Sequence, residues 1–415
     1  MTNDKNFIYP NFDNSLVNVP HSILAHFNLS HDKPALSTPL LDQIKECSKV
    51  VLFLVDGFGY NLFKKEATKF PFFKKIDEGE FSEKITTIFP STTAAGITTF
   101  ESGLTPREHG LFKWNLYLRE VDAVVQPLPY KVVQTEYSKN PVSLPKDSKM
   151  LFNGKTIYES LAQGNVQSFY FIPKVLKDAV YTKAMSKGAT IIQYVSIIDL
   201  LISLRKILQE TEGKAFCYVY WGNIDTQEHV YGPWTEQARG EIKLFDEMMQ
   251  KEFIDKLDEK TLNDTALMIT ADHGQASIDS EETIYLNNYP QVTNNFKKSE
   301  NGFPIPPTEN PRDVFLHIED EKVDETITFL KDTFGEIADI VKLDEDTINK
   351  LFGKAKAHPE FFARLGNILI LPKGKKSIWY EYLPGQKVEY QGHHGGLTED
   401  EMYIPFIAAK LNKLQ

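Results

Sequence analysis

Short, continuously apolar runs constrain the fold of this chain more than any other feature of its sequence. The clearest are Val50–Val55, Ala215–Trp221 and Ala266–Thr270. Each run is too short for a typical helix and does not alternate between apolar and polar residues, so each predicts a strand buried on both faces. Segments with helical spacing separate the runs. The sequence therefore predicts an α/β fold, with a mostly parallel central sheet and helices on both faces.

Acidic and histidine side chains follow each of these strands. The residues concerned are Asp56 after the first run, Asp225 and His229 after the second, and Asp272 and His273 after the third. Ligands of open α/β sheets bind outside the carboxyl ends of the strands. Carboxylates gathered at one sheet edge would repel each other, and bound cations remove that cost. The pattern therefore favours a metal site over a set of unrelated turns.

A row of hydroxyl side chains forms a further candidate feature. Ser91, Thr92 and Thr93 follow a Phe-Pro pair and precede small residues that allow a helix to begin. The free backbone N–H groups at a helix N-terminus favour anions, so a hydroxyl there could attack a phosphate group. A simple helix cap is the other interpretation. This stretch alone leaves both open.

Composition argues for a small substrate rather than a polymer. The net charge of −11 argues against binding nucleic acid through a basic surface. Two cysteines, Cys47 and Cys217, indicate no disulfide framework. The N-terminus lacks the pattern of a secretory signal, and no run is long and apolar enough to span a bilayer. We therefore expect a cytoplasmic protein without a membrane partner.

Five motifs carry a resemblance to a known family. In chain order they are LFLVDGFG, FPSTTAAGITTFESGLTPREHG, GNIDTQEHVYG, ITADHGQ and GHHGGLTEDEM. Together they resemble the alkaline phosphatase superfamily and, within it, the type I phosphodiesterase/nucleotide pyrophosphatase family. The resemblance implies an alkaline-phosphatase-like fold, a nucleophilic Thr or Ser, and two divalent metal ions. Zn²⁺ is the first expectation, with Mn²⁺ or Fe as alternatives.

The resemblance also assigns roles to individual residues. Thr93 matches the nucleophile, with Thr92 as the alternative. His394 is preferred to His393 as a ligand because the family pattern reads Gly-x-His-Gly. The implied ligands are Asp56, Thr93, Asp272 and His273 for one ion, and Asp225, His229 and His394 for the other.

Residues after the turn motif are candidates for substrate binding. The family places an Asn there to contact a phosphate oxygen. Trp114 occupies that spacing and Asn115 lies one residue on, while Phe112 and Tyr117 add aromatic surface. We predict that Asn115, Trp114 and Phe112 contact the substrate, with the aromatic rings forming an apolar wall for a second ester substituent.

The chain is predicted to carry an insertion. A strand–helix–strand pattern over residues 314–343 follows a segment rich in Asn and Pro. This predicts a small α/β insert at 285–385 within a core formed by 1–284 and 386–415, covering one side of the site. Residues 1–48 contain four prolines and predict an irregular arm.

The sequence favours one function and leaves two alternatives open. It favours a two-metal phosphohydrolase that cleaves a phosphodiester or nucleotide pyrophosphate bond through a covalent threonine intermediate. A phosphomonoesterase or phosphonate hydrolase would share the metal ligands but should add a cation, for which Lys113 and Arg312 are candidates. A non-enzymatic metal-binding relative should have lost a ligand, whereas all seven are present.

Overall fold

The computed structural model describes residues 7–135, 144–145 and 148–415. Its strands are β1 Lys49–Val55, β2 Ser82–Thr86, β3 Leu116–Leu118, β4 Ala123–Gln126, β5 Lys131–Val132, β6 Gln167–Pro173, β7 Thr190–Tyr194, β8 Ala215–Trp221, β9 Thr265–Thr270, β10 Ala276–Ser277, β11 Ile284–Tyr285, β12 Thr308–Asn310, β13 Asp313–Leu316, β14 Ala338–Lys342, β15 Ile368–Pro372, β16 Ile378–Trp379, β17 Gly392–His393 and β18 Tyr403–Lys410.

Helices connect most of these strands. They are α1 Asn18–His26, α2 Leu40–Ile44, α3 Tyr60–Lys65, α4 Pro71–Glu78, α5 Thr93–Ser102, α6 Pro106–His109, α7 Ile157–Gln163, α8 Val180–Met185, α9 Ile197–Glu210, α10 Asn223–Tyr231, α11 Glu236–Met248, α12 Glu259–Asp264, α13 Pro290–Thr293, α14 Val323–Phe334, α15 Glu345–Phe352, α16 Phe361–Leu365 and α17 Glu399–Met402. Within the described ranges, no helix has the length and apolar character needed to cross a bilayer.

The central sheet of the described chain has seven strands in the order β2-β18-β9-β1-β8-β6-β7. β1 pairs in parallel with both β8 and β9, and β6 pairs in parallel with both β7 and β8. β18 runs antiparallel to its neighbours β9 and β2. The predicted mostly parallel sheet is confirmed. Every residue of β1 and β9 is buried, as their continuous apolar pattern predicts.

Helices cover both faces of this sheet. Phe53 of β1 packs edge-on against Phe245 of α11, with ring centroids 5.7 Å apart. The preceding residue, Leu52, is in register with Tyr218 of β8, which stacks on Phe100 of α5 at 5.1 Å. Successive strand residues point to opposite faces, so α11 and α5 lie on opposite sides of the sheet.

The insert contains a second, antiparallel sheet in the order β12-β13-β15-β14. Val314 and Leu316 of β13 join a hydrophobic cluster with Leu330 of α14. Phe315 between them faces the other way and packs in the main core, 6.2 Å from the ring of Phe89. The insert sheet is therefore held between its own helix and the core. The predicted boundaries, 285–385, enclose this sheet and α14.

The prediction of an irregular N-terminal arm is wrong for residues 18–26 and 40–44, which form α1 and α2. Pro20 lies in the first turn of α1, where a missing N–H costs nothing. The Nε2 atom of His21 lies 2.8 Å from the carbonyl oxygen of Gly103. This contact joins the arm to the turn that ends α5.

Candidate active site

Three adjacent strands bring the predicted carboxylates together. β1 lies between β8 and β9, and Asp56, Asp225 and Asp272 follow the ends of these three strands. The backbone N–H of Asp225 donates to the carbonyl of Asp56 at 3.2 Å. Gly57 between the two segments has φ +73°, and a Cβ atom there would lie 2.9 Å from the Cα atom of Asp225. A glycine is therefore required for the strand ends to approach this closely.

Five of the seven predicted ligands form two groups that share one carboxylate, and Asp272 and Thr93 lie beside the first of them. The possible ligand atoms of Asp56, Asp225 and His273 lie within 4.8 Å of one another, as do those of Asp225, His229 and His394. Asp225 belongs to both groups, whereas the sequence analysis assigns it only to the ion held by His229 and His394. Such a shared carboxylate is suited to two cations held close together.

Distances within the first group show how tightly it is built. The Nε2 atom of His273 lies 3.3 Å from Oδ1 of Asp56 and 3.4 Å from Oδ2 of Asp272. It also lies 3.1 Å from the hydroxyl oxygen of Thr93. In the second group, Oδ1 of Asp225 lies 3.4 Å from Nε2 of His229 and 3.9 Å from Nε2 of His394.

Backbone carbonyls orient all three imidazole rings. The Nδ1 atoms of His229, His273 and His394 lie 2.9–3.0 Å from the carbonyl oxygens of Gly392, Gly274 and Ser91, in that order. A carbonyl oxygen only accepts, so each Nδ1 carries the proton. In the neutral ring, Nε2 then presents a lone pair to the carboxylates. This is the arrangement that metal-binding histidines adopt.

The electrostatics of the cluster fit bound cations. Among the described residues, Oδ1 of Asp56 and Oδ2 of Asp272 are buried without a hydrogen-bond partner. Burial raises the pKa of Asp56, and the carboxylates of Asp272 and Asp225 add to the rise. Burial lowers the pKa of His394, with further lowering from His273 and His229. Unpartnered carboxylate oxygens facing neutral imidazole lone pairs are a donor set that divalent metals complete.

Thr93, and not Thr92, faces the cluster. Thr93 is the first residue of α5 and lines the site cavity, whereas Thr92 precedes the helix and is fully buried. The first backbone N–H groups of a helix have no intrahelical partners and favour negative charge. The hydroxyl of Thr93 thus lies where a phosphate group would meet both the helix terminus and the metal-type ligands.

A cavity of about 560 Å³ opens onto the cluster. Its lining includes Thr93, Asp225, His229 and the His393-His394 pair. Four aromatic side chains also line it, Trp114, Trp379, Tyr382 and Tyr390, and the ring of Tyr390 lies 4.8 Å from that of His229. The size and the mixture of apolar walls with a few polar groups are typical of a small-molecule site.

The predicted substrate contacts divide into two kinds. Trp114 and Asn115 line the cavity. The amide Nδ2 of Asn115 donates to the carbonyl of Glu309 at 2.7 Å, which fixes the side chain in place. Phe112 is fully buried between Phe352 and Phe361 and is absent from the cavity lining of the described chain. The prediction that Phe112 contacts the substrate is therefore corrected to a packing role.

Neither candidate cation for a monoesterase reaches this cavity. The Nζ atom of Lys113 is buried and donates to the hydroxyl of Thr308 and to two backbone carbonyls, at 2.8–2.9 Å. Arg312 is paired with Glu401 and donates to two further carbonyls. Of the described residues that line the cavity, Lys387 is the only cation.

Sequence reasoning misses several residues of the site. Gln275 donates from Nε2 to Oδ1 of Asp225 at 2.7 Å, and its place directly after the Asp-His-Gly motif is the signal that could have indicated it. Asn310 lines the cavity next to Asn115. Trp379 and Tyr382 come from the insert. No motif marks these three residues, because only the tertiary fold brings them to the site.

Comparisons with known proteins identify the family and agree with this fold. A sequence model of the type I phosphodiesterase/nucleotide pyrophosphatase family matches residues 50–397, and the chain belongs to this family. Venom phosphodiesterase 2 of Crotalus adamanteus is 21% identical over 258 residues, which are 59% of this chain and 29% of the venom protein. Ectonucleotide pyrophosphatase/phosphodiesterase family member 3 of Rattus norvegicus is 23% identical over 281 residues, which are 66% of this chain and 30% of that protein. The chain thus spans less than a third of the length of these relatives.

Solved structures share the fold. Murine ectonucleotide pyrophosphatase/phosphodiesterase 5 superposes with a TM-score of 0.60 at 17% identity, covering 87% of this chain and 88% of the murine chain. The human counterpart gives a TM-score of 0.59 at 18% identity, covering 87% of each chain. At such low identity the likeness concerns the arrangement of the chain rather than its side chains.

Gly96 provides a test of how α5 is positioned. A Cβ atom at Gly96 would lie 2.6 Å from the Cβ atom of Asp272. We expect Gly96→Ala to lower the free energy of unfolding by about 1–3 kcal/mol, because it forces α5 away from the ligand segment. The matched control is Gly240→Ala in α11, where no atom lies within 4 Å of the new methyl group. This change should raise stability by about 0.5–1 kcal/mol. Urea unfolding of both variants measures whether the free energy of unfolding falls in Gly96→Ala and rises in Gly240→Ala.

Proposed function

We propose that this protein is a metal-dependent hydrolase of phosphodiester or pyrophosphate bonds that uses Thr93 as its nucleophile. The observation that carries the proposal is the place of the Thr93 hydroxyl at the start of α5, 3.1 Å from Nε2 of His273. Membership of the type I phosphodiesterase/nucleotide pyrophosphatase family supports hydrolysis of this class of bond.

Residues on both sides of Thr93 would hold the metal ions. Asp56, Asp272 and His273 would hold one ion together with Thr93, and His229 and His394 would hold the other, with Asp225 able to reach both. Bound there, divalent ions would lower the pKa of the threonine hydroxyl and neutralise charge on the phosphate. We propose two ions per chain, with Zn²⁺ as the first candidate because imidazole and carboxylate ligands suit it.

The reaction would proceed in two displacements at phosphorus. The oxygen of Thr93 attacks phosphorus in line, its proton passes to solvent, and the bond to the leaving-group oxygen breaks, which leaves the remaining phosphoryl group and its substituent bound to Thr93 as a phosphodiester. Water then attacks the same phosphorus and releases Thr93 with its proton restored. The backbone N–H groups at the start of α5 would face the phosphate oxygens in both steps.

The walls of the cavity favour diesters over monoesters. A monoester dianion concentrates charge on oxygens that monoesterases contact with an additional cation. Lys113 and Arg312 are bonded within the protein, and Lys387 is paired with Glu381. The rings of Trp114 and Trp379 offer an apolar surface for a second substituent such as a nucleoside base. The murine phosphodiesterase 5 is known in complex with AMP as an inactive variant, which agrees with a nucleotide substrate for this chain.

The nucleophile is tested by substitution. We expect Thr93→Ala to lower kcat for a nucleotide p-nitrophenyl ester by at least about a thousandfold, because the attacking oxygen is lost. Its fold, by circular dichroism, and most of its metal content should persist. Thr93→Ser should keep measurable activity. Thr92→Ala is the control and should remain active, since its hydroxyl does not line the cavity. An inactive Thr92→Ala beside an active Thr93→Ala would shift the nucleophile by one residue.

Metal analysis tests the shared ligand. Protein purified without chelator should contain about two divalent transition-metal ions, because the ligand atoms form two groups. Asp225→Asn should lower the metal content and reduce turnover by at least about a hundredfold. Asp332→Asn, the same change on the exposed part of α14, should alter neither. Full activity after exhaustive chelation would contradict the metal-dependent mechanism.

Substrate preference separates the diesterase from its nearest alternative. We expect kcat/KM for bis-p-nitrophenyl phosphate to exceed that for p-nitrophenyl phosphate. Both release the same leaving group, and only the diester has a second substituent that can pack on Trp114 and Trp379. A monoester preference above about tenfold, or roughly 1.4 kcal/mol of transition-state energy, would instead indicate a phosphomonoesterase. That outcome would leave the nucleophile and the metal ligands in place.

A further inference from the structure

Glu309 in the insert has a backbone conformation that is rare for its residue type. It is the middle residue of β12, has φ +75° and is fully buried. Seven described residues other than glycine have positive φ, and Glu309 is the only buried one among them. An L side chain is strained in this region, and such strain persists only where surrounding contacts hold the residue in place. The contacts of Glu309 therefore indicate what the strain supports.

These contacts hold the segment that carries two predicted substrate contacts. The carboxylate of Glu309 accepts at Oε2 from the backbone N–H of Trp114. Its own N–H donates to the carbonyl of Asn115 at 3.0 Å, and its carbonyl accepts from Nδ2 of Asn115 at 2.7 Å. In a regular strand the side chain stands roughly perpendicular to the sheet in which the N–H and C=O groups lie. The positive φ thus accompanies an arrangement in which all three groups of one residue reach the same segment.

Glu309 lies behind the wall of the cavity. It is absent from the cavity lining of the described chain, whereas Trp114, Asn115 and Asn310, which it bonds, all belong to that lining. Asn310 donates from Nδ2 to Oε1 of Glu309 at 3.1 Å. The same amide packs against Gly395 of the Gly-His-His-Gly motif, where a Cβ atom would lie 2.6 Å from Nδ2. One buried carboxylate therefore joins two separate parts of the cavity wall.

We propose that Glu309 is a positioning residue, which sets Trp114 and Asn115 for binding of the substrate. This inference rests on the proposed function and deepens it, because it assigns to the insert a part in substrate binding beyond its own aromatic rings. The described hydrogen bonds of Glu309 include neither Thr93 nor a predicted metal ligand. Loss of the carboxylate should therefore weaken binding of the substrate and of the transition state alike, which raises KM and leaves kcat nearly unchanged.

The experiment removes the carboxylate of Glu309 and keeps its backbone hydrogen bonds. Glu309→Ala should raise KM for a nucleotide p-nitrophenyl ester about ten- to a hundredfold, with kcat within about threefold of the wild type. Glu309→Gln keeps one acceptor, for either Trp114 or Asn310, and should recover part of the loss. Glu80→Ala is the matched control, because Glu80 also has positive φ, +54°, but is exposed. This control should change neither constant.

A double-mutant cycle separates positioning from a general loss of structure. Trp114→Ala removes the ring that Glu309 is proposed to position, so Glu309→Ala should raise KM by a smaller factor in that background than in the wild type. Equal factors in the two backgrounds would overturn the inference and leave the proposed function standing. A fall in kcat accompanied by loss of metal from Glu309→Ala would do the same.

Binding of AMP, measured by calorimetry, gives a readout that needs no turnover. Glu309→Ala should raise the Kd for AMP by a factor similar to that for KM, and an unchanged Kd would overturn the inference. If Glu309→Ala does not fold, Glu309→Gln decides, and wild-type values of both KM and Kd in this variant would contradict the positioning role. A wild-type protein that neither cleaves the ester nor binds AMP would remove the proposed function and this inference together.

Discussion

Repulsion among three carboxylates, two of them buried and the third half-buried, is the interaction on which the site depends. Parallel pairing of β1 with β8 and β9 fixes the strand ends side by side, so Asp56, Asp225 and Asp272 cannot move apart without breaking the sheet. The carbonyls that orient the histidine rings direct lone pairs at the same point. Cations bound at this point would relieve the repulsion, and metal affinity would then be coupled to stability.

Features that depend on local sequence could be predicted, and those that depend on long-range packing could not. The sheet follows from apolar runs, and the ligand cluster follows from their acidic ends, since parallel strands share one functional edge. Phe112 and Lys113 lie beside the same turn motif as Trp114, yet only Trp114 faces the cavity. The partners that bury Phe112 and Lys113 are Phe352 and the carbonyl of Arg364, more than two hundred residues away.

The site combines parts with different origins in the sequence. The candidate nucleophile and the metal-type ligands come from motifs whose spacing is set by strand and helix geometry. Its aromatic wall includes Trp379 and Tyr382, which come from the insert and belong to no motif. The proposed class of reaction thus follows from the motifs, whereas the cavity wall is shaped in part by side chains that only the folded insert brings to the cavity.

The two-sided packing of the insert sheet determines how the cavity can change. Phe315 and Leu369 belong to the main core, while Val314 and Ile370 belong to the cluster beneath α14. Lifting the insert as a lid would expose the first face to water, at about 25 cal/mol for each Å² of apolar surface. The position of the aromatic wall is therefore fixed by the fold. If the cavity binds substrate as proposed, exchange of single aromatic residues would change which substituents fit, with no movement of the insert.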